Sequence, residues 1–150
     1  ATLAIAPFFV VFVYYQNFQT VIFVHALFLF LLILAREMIK DLENMAGDMA
    51  QNYRTIPIIY GPKVSKSIIS FLIVLTLVPS LLLINTFDVG YMYFYFSACV
   101  VLLILFLALL WKANGKKHYV WLHNIIKLII VVGVFSILLI DVDVVLNRIL

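Results

Sequence analysis

Most of this chain consists of apolar runs long enough, or nearly long enough, to cross a bilayer. Such runs leave few choices of fold. In hydrocarbon no water bonds the backbone, so a spanning segment must satisfy its own N–H and C=O groups, as a helix or in a closed barrel. The runs are continuous rather than alternating in polarity, which selects helices. Hydrophobic residues make up 67% of the chain and charged residues 11%, and the mean hydropathy is +1.21. A soluble domain is about half apolar and a quarter charged. The expected fold is an all-α membrane protein: one transmembrane helical bundle over residues 1–150, with five spans.

The spans fall at residues 1–15, 20–39, 67–84, 91–111 and 120–140. The first is shorter than the ~20 residues that cross a bilayer and reads as the distal part of a helix. No charged n-region precedes it and no cleavage pattern follows, so it is not a signal peptide. Ala1 reads as an internal position of a longer protein. Pro79 is expected to kink the third span. Asn52 is expected to end a helix in the left-handed region, and Gly61–Pro62 to break the chain. Residues 85–90 and 112–119 read as loops, and Asp141, Asp143 and Arg148 lie in a short tail.

Basic residues set the orientation. Arg36, Lys40, Arg54, Lys63 and Lys66 lie between the second and third spans, and Lys112, Lys116 and Lys117 between the fourth and fifth. Alternating spans put both groups on one side, cytoplasmic by the positive-inside rule, in the cell (inner) membrane. The formal net charge of +3 follows from that placement and gives no reason to propose nucleic acid as a partner. Tyr91, Tyr93, Phe94 and Tyr95 read as an outer aromatic belt, and Trp111, Tyr119 and Trp121 as an inner one. Tyr14, Tyr15 and Asn17 mark the outer interface. Cys99, the one cysteine, reads as a packed or lipid-facing thiol. His25 reads as an interhelical histidine, and Lys127 as a side chain reaching for the headgroups. No nucleophile triad, P-loop or zinc spacing is present.

One long polar run interrupts this pattern. Residues 36–57, REMIKDLENMAGDMAQNYRTIP, hold four of the seven acidic side chains. On a helix Glu37, Asp41, Asn44 and Asp48 fall at i, i+4, i+7 and i+11, on one face. Arg36, Lys40 and Glu43 share another. Stacked carboxylates repel, so such a face needs open water or a cation. Magnesium suits it, being held through one or two carboxylates plus the oxygens of a substrate phosphate. Arg54 and Thr55 follow directly, and an arginine fork and a hydroxyl suit phosphate oxygens. The stretch joins two spans, so the site is expected to open towards the apolar bundle.

Arg36-Glu37-x-x-Lys40-Asp41-x-Glu43-x-x-x-Gly47-Asp48, followed by Arg54-Thr55-x-Pro57 and Gly61, resembles the second aspartate-rich motif of the UbiA family of intramembrane prenyltransferases. Its digeranylgeranylglyceryl phosphate synthase type is the nearest subgroup in this resemblance. The resemblance implies a nine-span fold, of which this chain is the C-terminal portion. It implies magnesium-dependent transfer of a prenyl group from a prenyl diphosphate to a lipid or aromatic acceptor, geranylgeranylglyceryl phosphate in that subgroup. It also implies Asp41 and Asp48 as catalytic metal–diphosphate ligands, and Glu37 and Glu43 as weaker members of the metal set. Arg54, Thr55, Lys40 and Asn44 become substrate contacts, and Gly47 a site of close helix approach. Three positions depart from the pattern. Asn44 stands for an aspartate, Ala46 for a glutamate and Asn52 for a glycine. The family's first motif, N-D-x-x-D-x-x-x-D, is not among these residues, so this chain carries half of such a site and is expected to be inactive by itself. The alternatives are an inactive truncated membrane fragment and a cation-binding transporter segment. A transporter would carry ionisable residues mid-span, and only His25 and Lys127 come near that.

Overall fold

The computed structural model describes residues 20–86 and 92–136. The expected span at residues 1–15, the turn after it, most of the 85–90 loop, Tyr91 and the acidic tail lie outside the described residues. Four helices follow in order: α1 (Thr20–Ala50), α2 (Ile56–Asn85), α3 (Met92–Lys112) and α4 (Lys116–Ser136). No strand occurs among the described residues. The segments Ile56–Asn85, Met92–Lys112 and Lys116–Phe135 are each long and apolar enough to cross a membrane. α1 carries the second expected span and continues without a break into the polar stretch. Its apolar run from Thr20 to Ala35 is about 24 Å long at 1.5 Å per residue, short of the ~30 Å hydrocarbon thickness.

α1 packs against both α2 and α4, and α3 lies against α2 and α4. The core between them includes Phe28, Leu32, Ile39, Ile69, Ile73, Phe96, Leu103, Phe106, Leu122 and Ile126. Phe28 and Phe96 meet edge to face, with centroids 5.4 Å apart. His25, buried as expected of an interhelical histidine, stands edge-on to Phe96 at 5.6 Å. Cys99 is buried in the same core.

Helix boundaries differ from the hydropathy pattern where polar residues enter helices. α2 begins at Ile56, eleven residues before the expected span, and bends at Gly61 (φ 83°, ψ 165°). Only glycine reaches that backbone region without a steric cost. Pro79 does not break the helix: Gly61 holds the non-helical dihedrals inside α2. The neighbouring hydroxyls of Thr76 and Ser80 satisfy themselves by donating to the Leu72 and Leu77 carbonyls at 2.7 and 2.8 Å, as buried hydroxyls in an apolar helix must. α4 begins at Lys116 rather than at residue 120. Its first turn is basic, which opposes the helix dipole and hides the start from sequence. The α3–α4 connection shrinks to Ala113, Asn114 and Gly115, with Gly115 at φ 95°.

Two aromatic positions belong to the bundle instead of to a belt. Tyr93, Phe94, Trp111 and Trp121 are exposed. Tyr119 is 7% exposed, beneath the Lys66 ammonium at 5.7 Å from its ring centroid. Tyr95 donates its hydroxyl to the Ile129 carbonyl at 2.8 Å. That bond needs Gly133, one turn further along α4. A Cβ there would collide with the Tyr95 hydroxyl and lie 3.1 Å from its Cζ. Lys127 is exposed on α4, free to reach the headgroup level.

The Tyr95–Gly133 contact predicts an ordered mutant series. Tyr95→Phe costs about 0.6–1 kcal/mol, the worth of one interhelical hydrogen bond. Gly133→Ala costs more, about 1–3 kcal/mol, by overpacking. The double variant recovers part of the glycine loss, because the hydroxyl is gone. Thermal unfolding in detergent micelles measures all three, and a neutral Gly133→Ala would contradict the contact.

Candidate functional site

The site is built on the second half of α1. Ala35, Met38, Ile39 and Leu42 are buried there, and at about 100° per residue they form one stripe, packed on the bundle. On the same register Glu37, Asp41, Asn44 and Asp48 lie on the opposite side of the helix. They are partly exposed. The acidic face therefore points away from the stripe packed on α2 and α4. The expectation that it would open towards these apolar helices is corrected: the apolar stripe claims that side of α1.

Asp41 senses its surroundings. Burial, then the neighbouring Asp48 and Glu37 carboxylates, push the Asp41 carboxyl up from its ordinary value, with Lys40 opposing. Glu37 also takes an ion pair from Arg36, Nη1 to Oε1 at 3.0 Å. Lys40 is exposed. Among the described residues no three His, Cys, Asp or Glu side chains converge as a closed metal cluster. A site of one or two carboxylates completed by phosphate oxygens does not require such a cluster.

Glu43 lies apart from this face. Two residues on from Asp41, it is displaced by about 160° around the helix. Its Oε2 accepts from His123 Nδ1 of α4 at 3.1 Å, with side chains 19% and 15% exposed. Gly47 makes no close approach among the described residues: a Cβ there meets nothing within 4 Å.

The end of α1 is fixed by its backbone. Asn52 adopts φ 57°. The Tyr53 N–H bonds the Asp48 carbonyl at 2.9 Å and the Asn52 N–H bonds that of Met49 at 3.2 Å. That is the Schellman pairing, 6→1 and 5→2. Asparagine tolerates the left-handed region better than most residues, so it serves where the resembling motif carries glycine. The turn delivers Arg54, exposed, and Thr55, the residue before α2. The Thr55 side chain makes no cap bond, and its Oγ1 is buried without a hydrogen-bond partner among the described residues. Arg36 Nε is likewise buried and unpartnered. Buried polar atoms of this kind call for a partner.

A lysine and a tryptophan contact at this end were not visible in the sequence. Lys66, 7% exposed, donates Nζ to the Ala113 carbonyl at 2.6 Å. Trp111 Nε1 donates to Ser70 Oγ at 3.1 Å. Together they hold the end of α3 against the start of α2, so the two basic connections share one end of the bundle. His123 had one signal available: its position at the start of a span on the polar stretch's side.

The chain is similar in sequence to known proteins. The UbiA prenyltransferase family matches residues 1–139. The chain is 37% identical over 94 residues to the digeranylgeranylglyceryl phosphate synthase of Methanobrevibacter smithii, covering 61% of this chain and 32% of that protein. It is 35% identical over 107 residues to the synthase of that name from Methanosphaera stadtmanae, covering 70% and 38%. With the one from Thermococcus onnurineus it shares 39% over 90 residues, covering 59% and 32%. Each match takes in roughly a third of the relative's length. No solved structure matches.

The crowding around Asp41 predicts a stability signature. Its carboxyl titrates higher folded than unfolded. Its contribution is therefore favourable at low pH and is lost as pH rises from the unfolded value of about 3.9 through the folded one. Asp41→Asn removes that loss. At neutral pH and without metal the variant should melt above the parent, and magnesium should raise its Tm less than the parent's. A lower Tm for metal-free Asp41→Asn at neutral pH would contradict the like-charge reading.

Proposed function

Because the chain belongs to the UbiA prenyltransferase family, we propose that the polar half of α1 is one wall of a prenyl-diphosphate site. The complete protein then transfers a prenyl group to the hydroxyl of a glycerophosphate-type lipid. The observation that carries this reading is the acidic face. Its carboxylates stand opposite the packed stripe, and burial together with the neighbouring Asp48 and Glu37 carboxylates raises the Asp41 carboxyl, a strain that a shared cation would relieve. The names of the relatives support the acceptor class.

In this reading Asp41 and Asp48, with Glu37 beside them, hold magnesium. When bound, the ion neutralises the diphosphate and draws charge from the breaking bond. Arg54 is exposed at the end of the turn and donates to diphosphate oxygens. Thr55 Oγ1, a buried hydroxyl lacking a partner, donates beside it. Lys40 and Asn44 contact the diphosphate from the helix. The allylic C–O bond breaks and its electron pair leaves on the diphosphate. The acceptor hydroxyl oxygen forms the new C–O bond and gives up its proton to the released diphosphate. An apolar surround on the open side of the acidic face, supplied from outside the described residues, keeps water from the allylic cation. A second set of carboxylates facing this wall, from outside these residues, completes the clamp. In this reading the site lies at the cytoplasmic surface, which the gathering of both basic connections at one end through Lys66 and Ala113 supports.

Substituting Asp48 by Ala in the complete enzyme tests the assignment. Transfer from a panel of prenyl diphosphates to a glycerophosphate lipid, assayed in the presence of magnesium, should fall about 10²–10³-fold, as when one transition-state stabiliser is removed. Retained activity would sink it.

A further inference from the structure

We propose that Glu43 and His123 form an interhelical clamp that fixes the rotation of α1 about its axis, and so aims Asp41 and Asp48 at the diphosphate. Both are positioning residues, and the inference rests on the reading of α1 given above. Resemblance alone places Glu43 with the metal set. The register places it about 160° from Asp41, so it cannot share a cation with Asp41 and Asp48 on their face. It meets α4 instead, across 80 residues of sequence, with His123 Nδ1 at 3.1 Å from its Oε2. An ionised carboxylate only accepts, so the imidazole donates from Nδ1.

The pair sits at the place where rotation needs control. Further along α1 towards its start, Phe28, Leu29, Leu31 and Leu32 are all buried, and packing on several sides sets the rotation there. Past Leu42 the buried positions end: Ala46, Gly47, Met49 and Ala50 are exposed. Apolar packing no longer fixes the last two turns, which carry Asp48. A carboxylate about 5–6 Å from the helix axis moves sideways by about 1 Å for a rotation of about 10°. The Glu43–His123 contact lies at the boundary between these regions. Its side chains are 19% and 15% exposed, and such a partly desolvated, directional bond resists rotation better than a solvated pair.

The test uses the full-length enzyme in detergent. His123→Leu removes the donor. His123→Asn keeps an N–H near the Nδ1 position. Glu43→Gln removes the charge. Two readouts are taken: the magnesium concentration giving half of the maximal Tm increase in the absence of substrate, and the corresponding half-saturation in prenyl transfer. The expected result is a three- to tenfold rise in both for His123→Leu, with kcat at saturating magnesium within about threefold of the parent. His123→Asn should stay near the parent. His123→Leu/Glu43→Gln should be no worse than the poorer single variant. A merely structural role would lower Tm without moving either magnesium midpoint, and that outcome overturns the proposal. So does an additive double variant. A third result separates this proposal from the reading beneath it. If the parent itself shows no magnesium-dependent Tm shift, the reading of the acidic face fails and the positioning role falls with it. If Asp41→Asn moves the midpoints and His123→Leu does not, only the clamp fails.

Discussion

In hydrocarbon a backbone amide has no partner but its own chain, and the rest of this structure depends on that constraint. It makes each long apolar segment a helix and drives the irregular backbone to the polar end of the bundle. Asn52, Gly61 and Gly115 are the positive-φ residues among those described, and all three lie there. So does the Lys66 ammonium, set on the Ala113 carbonyl just past the end of α3. A cation at a helix C-terminus meets the negative end of the dipole. The same lysine covers the Tyr119 ring at the start of α4. One side chain thus ties three helices at the end where the polar chemistry sits, and the basic connections are drawn together.

α1 answers to two environments along its length. Its first half packs broadly around Phe28 and Leu32, with His25 edge-on to Phe96. Its second half keeps only the stripe Ala35, Met38, Ile39 and Leu42. That stripe and the acidic face are back to back on one helix. Packing one of them therefore presents the other outward, and the geometry of the acidic face is inherited from the apolar core. The Schellman turn at Asn52 continues the arrangement: its bond to the Asp48 carbonyl ties the last acidic residue of the face to the turn that carries Arg54 and Thr55.

Much of this was legible in residue order. The long apolar runs, the left-handed Asn52, the break at Gly61 and the shared face of Glu37, Asp41, Asn44 and Asp48 all follow from local rules. These are hydropathy, φ preference and the 3.6-residue period. The misreadings have physical causes of one kind. Tyr95 and Tyr119 look like interfacial aromatics because a tyrosine at a span end usually is one; Gly133 and Lys66, far away in sequence, bring them inside. Gly47 looks like a close-approach glycine, while the glycine that permits one is Gly133.

The sequence by itself determined the class of fold, the helix register and therefore which side chains share a face, because each depends on near neighbours and on the solvent. Only the tertiary structure decided which side of α1 meets the bundle, that Glu43 pairs with His123 instead of joining the acidic face, and that Lys66 closes the α3–α4 connection. Those outcomes depend on contacts between helices distant in the chain, and side chains far apart in sequence carry no local signal of which partner they will meet.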